Sequence, residues 1–219
     1  MIETPSSDHY VNVDMRTPEG IYRATELNFV DSKLAGAIFA TRIYLASEVF
    51  HPPYRGICFT FLRHPIDREV SLFYALKDSP WENSFKEEFS DMSLQDFVFS
   101  KYLESNWLTR MLTNKMSGPI NVDDLNDAKK FLKTKCLIGL TDKFDESHDR
   151  IEKYFGWQDT GDKQCMKELM EGHDNKSNSR KLEDEIPDDV YQQIYRRNEF
   201  DIALYEFARE VYEKQGKFF

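Results

Sequence analysis

Apolar residues fall along this chain in two kinds of pattern. The first is helical. Ile66, Val70, Phe73 and Leu76 recur at i, i+4, i+7 and i+10 and lay one apolar stripe along a helix that Pro65 opens. Ile21, Ala24 and Leu27 have the same spacing behind Thr17-Pro18-Glu19, a cap residue with proline at the first helical position. Leu125, Ala128, Phe131 and Leu132 follow Asp124, the expected cap of another helix. Ser93-Leu94-Gln95-Asp96 has capping-box form and opens a helix expected to run to about Leu103. A helix from about Asp142 to Phe155 stops near Gly156. Tyr44 to Phe50 makes a turn or two of helix that His51-Pro52-Pro53 ends. Pro187 starts a last, two-part helix reaching about Glu213.

The second pattern is the short unbroken apolar run. Ile57 to Leu62 and Cys136 to Leu140 show no polar alternation, as expected of strands buried on both faces of a parallel sheet. Ala37-Ile38-Phe39-Ala40 reads as a third strand. Strands alternating with helices predict an α/β layer fold. Residues 158–185 are polar and loop-like, with a turn of helix near Met166 to Leu169. Residues 1–16 read as a polar N-terminal segment and 17–219 as one domain.

Charge narrows the function classes. Lys and Arg total 29 against 39 Asp and Glu, for a net charge of −10. A general nucleic-acid binder needs a net basic field, so that class is excluded, while a local basic pocket is not. No apolar run approaches the ~20 residues of a membrane-spanning helix. Met1 to Asp8 has neither the basic nor the apolar region of a signal peptide. Three cysteines (Cys58, Cys136, Cys165) make no disulfide framework, and without a Cys/His cluster no zinc site is expected.

The chemistry concentrates where the second strand ends. The junction reads Phe61-Leu62-Arg63-His64-Pro65-Ile66-Asp67-Arg68-Glu69-Val70-Ser71. Arg63 stands at the strand's carboxyl end, where open α/β sheets bind ligands. Arg68 and Ser71 are i, i+3 and share a helix face. Guanidinium forks, a hydroxyl and a helix N-terminus together describe an anion site, and best a phosphate site. The competing reading pairs Arg68 with a surface acid such as Asp67 or Asp78 and leaves Ser71 merely polar. A plain interaction domain would leave Arg63 and Ser71 apart in space.

Arg-x-Pro-x-x-Arg-x-x-Ser after an apolar strand resembles the 3′-phosphate signature of carbohydrate-type sulfotransferases, which use 3′-phosphoadenosine 5′-phosphosulfate (PAPS). Asn106-Trp107-Leu108-Thr109-Arg110, Cys136-Leu137-Ile138-Gly139-Leu140-Thr141, Asn175-Lys176-Ser177 and Asn198 to Tyr205 resemble later stretches of that family in the same order. The resemblance spans roughly residues 17 to 212. It implies a three-layer, P-loop-like parallel sheet with flanking helices. Because no Lys-x-Gly-Thr-like run precedes Ala37, the first βα unit with its phosphate loop is expected to be missing.

By the same resemblance Arg63 and Ser71 hold the nucleotide's 3′-phosphate, with Arg68 part of the signature. Lys176 and Ser177 belong to a nucleotide-covering loop near His173, and Arg110 faces acceptor or nucleotide. The base would be His51, with Glu48 the other candidate and His64 read as flanking; Trp107 is expected in the core and His148 exposed. The reaction implied is sulfuryl transfer from PAPS to a hydroxyl of a carbohydrate or other small acceptor, with no metal. A Golgi membrane location would follow if a longer protein carries an anchor. The alternatives are a non-catalytic nucleotide- or partner-binding relative, or a fragment of a longer enzyme. A kinase relative would need a Gly-rich loop and a metal-binding acid, and neither is seen.

Overall fold

Local sequence signals set most element boundaries in the computed structural model, which describes residues 12–52, 55–81, 85–157 and 186–218 and the backbone of residues 2–3 and 9–10. These residues form two compact units, 1–58 with 108–135 and 59–107 with 136–219.

In the first unit Ile2–Glu3 (β1) pairs antiparallel with His9–Tyr10 (β2), a pairing the polar composition did not announce. Helix α1 (Pro18–Glu26) is capped as expected, with Thr17 Oγ1 accepting from the Gly20 amide at 3.1 Å. Ile21 and Ala24 are buried, but Leu27 lies past the helix end and points outward. The third buried position is Gly20, where a Cβ would sit 2.0 Å from the Asp14 carbonyl oxygen. Helix α2 is Ile43–Ser47. Its Leu45 and Ala46 join Met15, Ile21, Ala24, Phe29 and Val49 in one core. Ala37 to Ala40 is not a strand. Its apolar run has another cause: Ile38 and Ala40 lie partly buried against this core as irregular chain. Helix α6 (Val122–Lys135) buries the four predicted residues. Its cap is Asn121, whose Oδ1 accepts from the Asp123 and Asp124 amides. Asp124, the expected cap, instead reaches back to the Asn121 amide at 2.8 Å.

The second unit is built on β3 (Cys58–Leu62) and β4 (Cys136–Leu140), a two-stranded parallel sheet. Every residue of β4 is buried. Gly139 is required there, because a Cβ would meet the Phe61 ring at 2.9 Å and Ser147 at 3.2 Å. Gln215 takes two positions along β4: its Oε1 accepts from the Ile138 amide and its Nε2 donates to the Cys136 carbonyl.

Helix α3 (Pro65–Asp78) follows β3 and turns Ile66, Val70 and Phe73 into a core with Phe89, Phe97, Val98, Leu103, Val190 and Ile194. The capping box at Ser93 forms, but α4 ends at Val98 rather than near Leu103. Helix α5 is Trp107–Thr113. Helix α7 (Phe144–Phe155) ends at Gly156 in the left-handed conformation, φ 69°. The two-part C-terminal helix is α8 (Asp188–Arg197) and α9 (Glu199–Gln215), broken at Asn198. No helix among the described residues is long and apolar enough to cross a membrane.

Candidate functional site

The carboxyl ends of β3 and β4 point the same way, so Arg63-His64 and Thr141-Asp142 leave the sheet together. Arg63 reaches forward to α3, where its Nη1 donates to Ser71 Oγ at 2.6 Å. Eight residues separate the two, and the strand-to-helix turn at His64-Pro65 closes that gap. Pro65 carries no N–H and sets the first helical φ. The His64 ring packs edge-on against Tyr205 of α9, 5.3 Å between centroids, and its Nδ1 is buried without a partner. The Tyr205 hydroxyl donates to Asp142 at 3.3 Å. Burial, then the Asp142 charge, pushes that hydroxyl's pKa up, so it remains a donor.

The two arginines of the motif have opposite surroundings. Arg63 is half-buried, and among the described residues no carboxylate pairs with it. Arg68 is neutralised twice: one Nη donates to Glu69 and the other to Glu104, and the guanidinium lies 4.1 Å from the centre of the Trp107 ring. Glu69 is 1% exposed and its Oε2 has no partner. Burial raises its pKa to about 7 against the opposing pull of Arg68, with the charges of Glu104 and Asp201 adding to the rise. The sequence suggested an acid partner for Arg68, but the partners are Glu69 and Glu104 rather than Asp67 or Asp78. Trp107 is neither fully in the core nor open for stacking, since Arg68 occupies its face.

The stretch 103–106 is bound to the α8–α9 junction. Asn106 has φ 51° and its amide donates to Asn198 Oδ1 at 2.8 Å. Its own Oδ1 accepts from the amides of Phe200 and Asp201 at 3.0 and 3.2 Å. Ser105 Oγ donates to the Arg197 carbonyl. Helix α4 has already closed upstream, where Ser100 Oγ donates to the Phe97 carbonyl and accepts from the Tyr102 amide, and residues 103–106 then run on to cap α9. The Asn106 bonds also join two stretches that the sequence offered only as separate resemblances, Asn106 to Arg110 and Asn198 to Tyr205.

The remaining candidates are placed as follows. His51 is exposed in the first unit, with Nε2 3.2 Å from Asp31 and Nδ1 3.1 Å from the Pro52 carbonyl. Glu48 is exposed beyond the end of α2. Arg110 donates to the carbonyls of Lys115 and Gly118, 3.0 Å each, and so holds the loop after α5. Lys176, Ser177 and His173 lie outside the described residues. His148 is largely buried rather than exposed. With Asp149 and Glu152 it places three donor atoms within 4.8 Å on one turn of α7, which alone defines no metal site.

Sequence missed Glu69, Glu104 and Tyr205. A carboxylate on the apolar side of a helix was the one available signal, and Glu69 stands beside Val70 in that position.

A strand-end arginine bonded to a helix-borne serine thus lies at the exit of a parallel sheet, where open α/β folds bind their ligands. The model of the sulfotransferase family matches residues 54–208, more than half of the chain. The chain belongs to the sulfotransferase family. Comparison with curated proteins and with solved structures returned no match.

Proposed function

We propose that this chain holds the 3′-phosphate of PAPS on Arg63 and Ser71 and supports transfer of its sulfuryl group to a hydroxyl of a carbohydrate or other small acceptor. One observation carries the reading: Arg63 is a guanidinium without a carboxylate partner among the described residues, already set 2.6 Å from the Ser71 hydroxyl in the second turn of α3. A phosphate arriving there meets both donors and the positive end of α3. PAPS supplies the activated sulfur. As the acceptor oxygen bonds to it, the bond to the bridging phosphate oxygen breaks, adenosine 3′,5′-bisphosphate leaves and the acceptor proton passes to a base.

His51 is the base candidate, and it serves only when one of its present ring contacts opens. Lys176 and Ser177 are further nucleotide contacts in this reading, and Arg110 is its acceptor contact by family resemblance. A Golgi location belongs to the same reading, by family resemblance.

The test is a thermal-shift titration with adenosine 3′,5′-bisphosphate and with adenosine 5′-monophosphate, on the native chain, Arg63→Ala and Ser71→Ala. At 100 times its Kd a ligand adds about 2.7 kcal/mol. The expected result is a shift with the bisphosphate alone that disappears in Arg63→Ala. Equal shifts with both nucleotides, or none on the folded native chain, overturn it. Incubation with PAPS and a panel of sugars, read by mass, then separates an enzyme from a nucleotide-binding relative.

A further inference from the structure

We propose that Arg68 is a positioning residue rather than a ligand contact, a strut that Glu69 and Glu104 hold against Trp107 so that Ser71 meets Arg63. The proposal rests on the reading of Arg63 and Ser71 given above and adds to it how that pair is kept competent.

Arg68 and Ser71 stand three residues apart, on one face of α3, so a rotation of the helix moves both. On that face Arg68 makes three contacts. Glu69 ties it to its own helix, while Glu104 and the Trp107 ring tie it to the stretch leading into α5. That stretch is in turn fixed by Asn106 to the start of α9. The rotation of α3 thus follows from a continuous set of bonds running from α9 through Asn106, Trp107 and Glu104 to Arg68. Both carboxylates already occupy the guanidinium fork, so a phosphate would have to displace one of them.

The strut is sensitive to protons. Glu69 is buried and one of its oxygens has no partner. The charged groups around it are Arg68 on its own helix, Glu104 before α5 and Asp201 on α9; Val190 and Ile194 of α8 and Phe97 and Val98 of α4 present apolar side chains to α3. When Glu69 takes a proton, its bond to Arg68 loses charge assistance, and the grip on α3 weakens just beside Ser71.

Glu69→Gln keeps the size of the side chain and the acceptor oxygen but removes the charge. The experiment measures affinity for adenosine 3′,5′-bisphosphate by calorimetry from pH 5.5 to 8.5 on the native chain, Glu69→Gln and Arg68→Lys. The same samples without nucleotide give ¹⁵N spectra of the Ser71 amide and the Arg63 side chain, and melting curves check folding. At pH 8 Glu69→Gln is expected to bind about 10-fold more weakly than the native chain, the size of a lost charge-assisted bond. At pH 5.5 the two should coincide. Arg68→Lys, which keeps the charge but not the fork, is expected to bind more weakly at both pH values.

Without nucleotide, the Ser71 and Arg63 signals of Glu69→Gln at pH 8 should match those of the native chain at pH 5.5. If the two chains differ by the same factor at every pH, or if those signals do not move, the strut is overturned. If the signals move as expected but no chain binds the bisphosphate, the strut stands and the proposed function fails.

Discussion

Replacing Asn106 with alanine removes a buried cap without touching Arg63 or Ser71. The residue is 6% exposed. Its Oδ1 is the acceptor for the amides of Phe200 and Asp201 in the first turn of α9, and Asp201 is itself buried. Alanine leaves both amides without that acceptor. A buried donor deprived of its partner costs about 1–3 kcal/mol. The backbone adds to this, because Asn106 sits at φ 51°, a region asparagine tolerates and alanine does not. Its amide bond to Asn198 Oδ1 involves the backbone and survives the substitution. The expected loss for Asn106→Ala is therefore about 3–5 kcal/mol, a large part of the 5–15 kcal/mol that holds a domain folded.

Asn106→Gly separates the two contributions. Glycine also lacks the cap but accepts the positive φ, so it should retain about 1–2 kcal/mol relative to alanine. Urea titration monitored by tryptophan fluorescence measures both, with the midpoint and slope compared so that a change in the denatured state is not mistaken for one in the native state. A loss below about 1 kcal/mol for alanine would show that water or a rearranged α9 satisfies the two amides, and that the link from α9 to Trp107 is not rigid.

Three further outcomes test other parts of the structure. Gly139→Ala should destabilise by about 1–3 kcal/mol in the same assay, because its Cβ would press on the Phe61 ring at 2.9 Å between two packed layers; an unchanged midpoint would mean the ring has room to turn. Arg63→Ala should abolish the thermal shift with adenosine 3′,5′-bisphosphate while moving the unliganded melting temperature little, since Arg63 is half-buried and bonds only one hydroxyl among the described residues. Glu69→Gln should alter the pH dependence of stability. The folded pKa of about 7 lies above the unfolded value of 4.5. Between these values the native chain keeps a proton that the unfolded chain has lost, so this contribution is full below 4.5 and lost as pH rises through 7. The glutamine variant should thus gain on the native chain by up to about 3 kcal/mol between pH 4 and pH 8; a gap that does not change with pH refutes the buried, titrating carboxyl.

Periodic signals were legible and tertiary ones were not. The stripes of α3 and α6, the two apolar strands, the Ser93 box and the Gly156 stop all arise within a few residues of chain, and each forms where its pattern lies, except that β3 begins at Cys58 and buries only Leu62 fully. The Arg63–Ser71 pair was legible for the same reason: a strand end and the second turn of the next helix must lie close together. The failures share a cause. Ala37 to Ala40 is an unbroken apolar run because two of its residues rest on a helical core, and apolar character alone cannot tell that from a buried strand. Helix α4 stops short because Ser100 Oγ bonds the Phe97 carbonyl and the Tyr102 amide and turns the chain out of the helical path, toward partners about 90 positions away. Leu27 fits the stripe of α1 but falls one residue past its end.

Arg68 shows how residues of one motif can have different surroundings. Sequence gave two arginines in one signature, and their spacing treats them alike. The difference lies in what surrounds them: one faces a hydroxyl and no carboxylate among the described residues, the other two carboxylates and an indole face. A buried glutamate is tolerated beside Arg68 because the guanidinium supplies part of the solvation that burial removes, yet burial, with the charges of Glu104 and Asp201 added, leaves Glu69 poised near neutral pH. The native chain at pH 8 therefore carries a destabilising charge that also holds its helix in register. Stability and affinity should respond to Glu69→Gln in opposite directions there, the first rising and the second falling. A residue that only supported the fold would move both the same way.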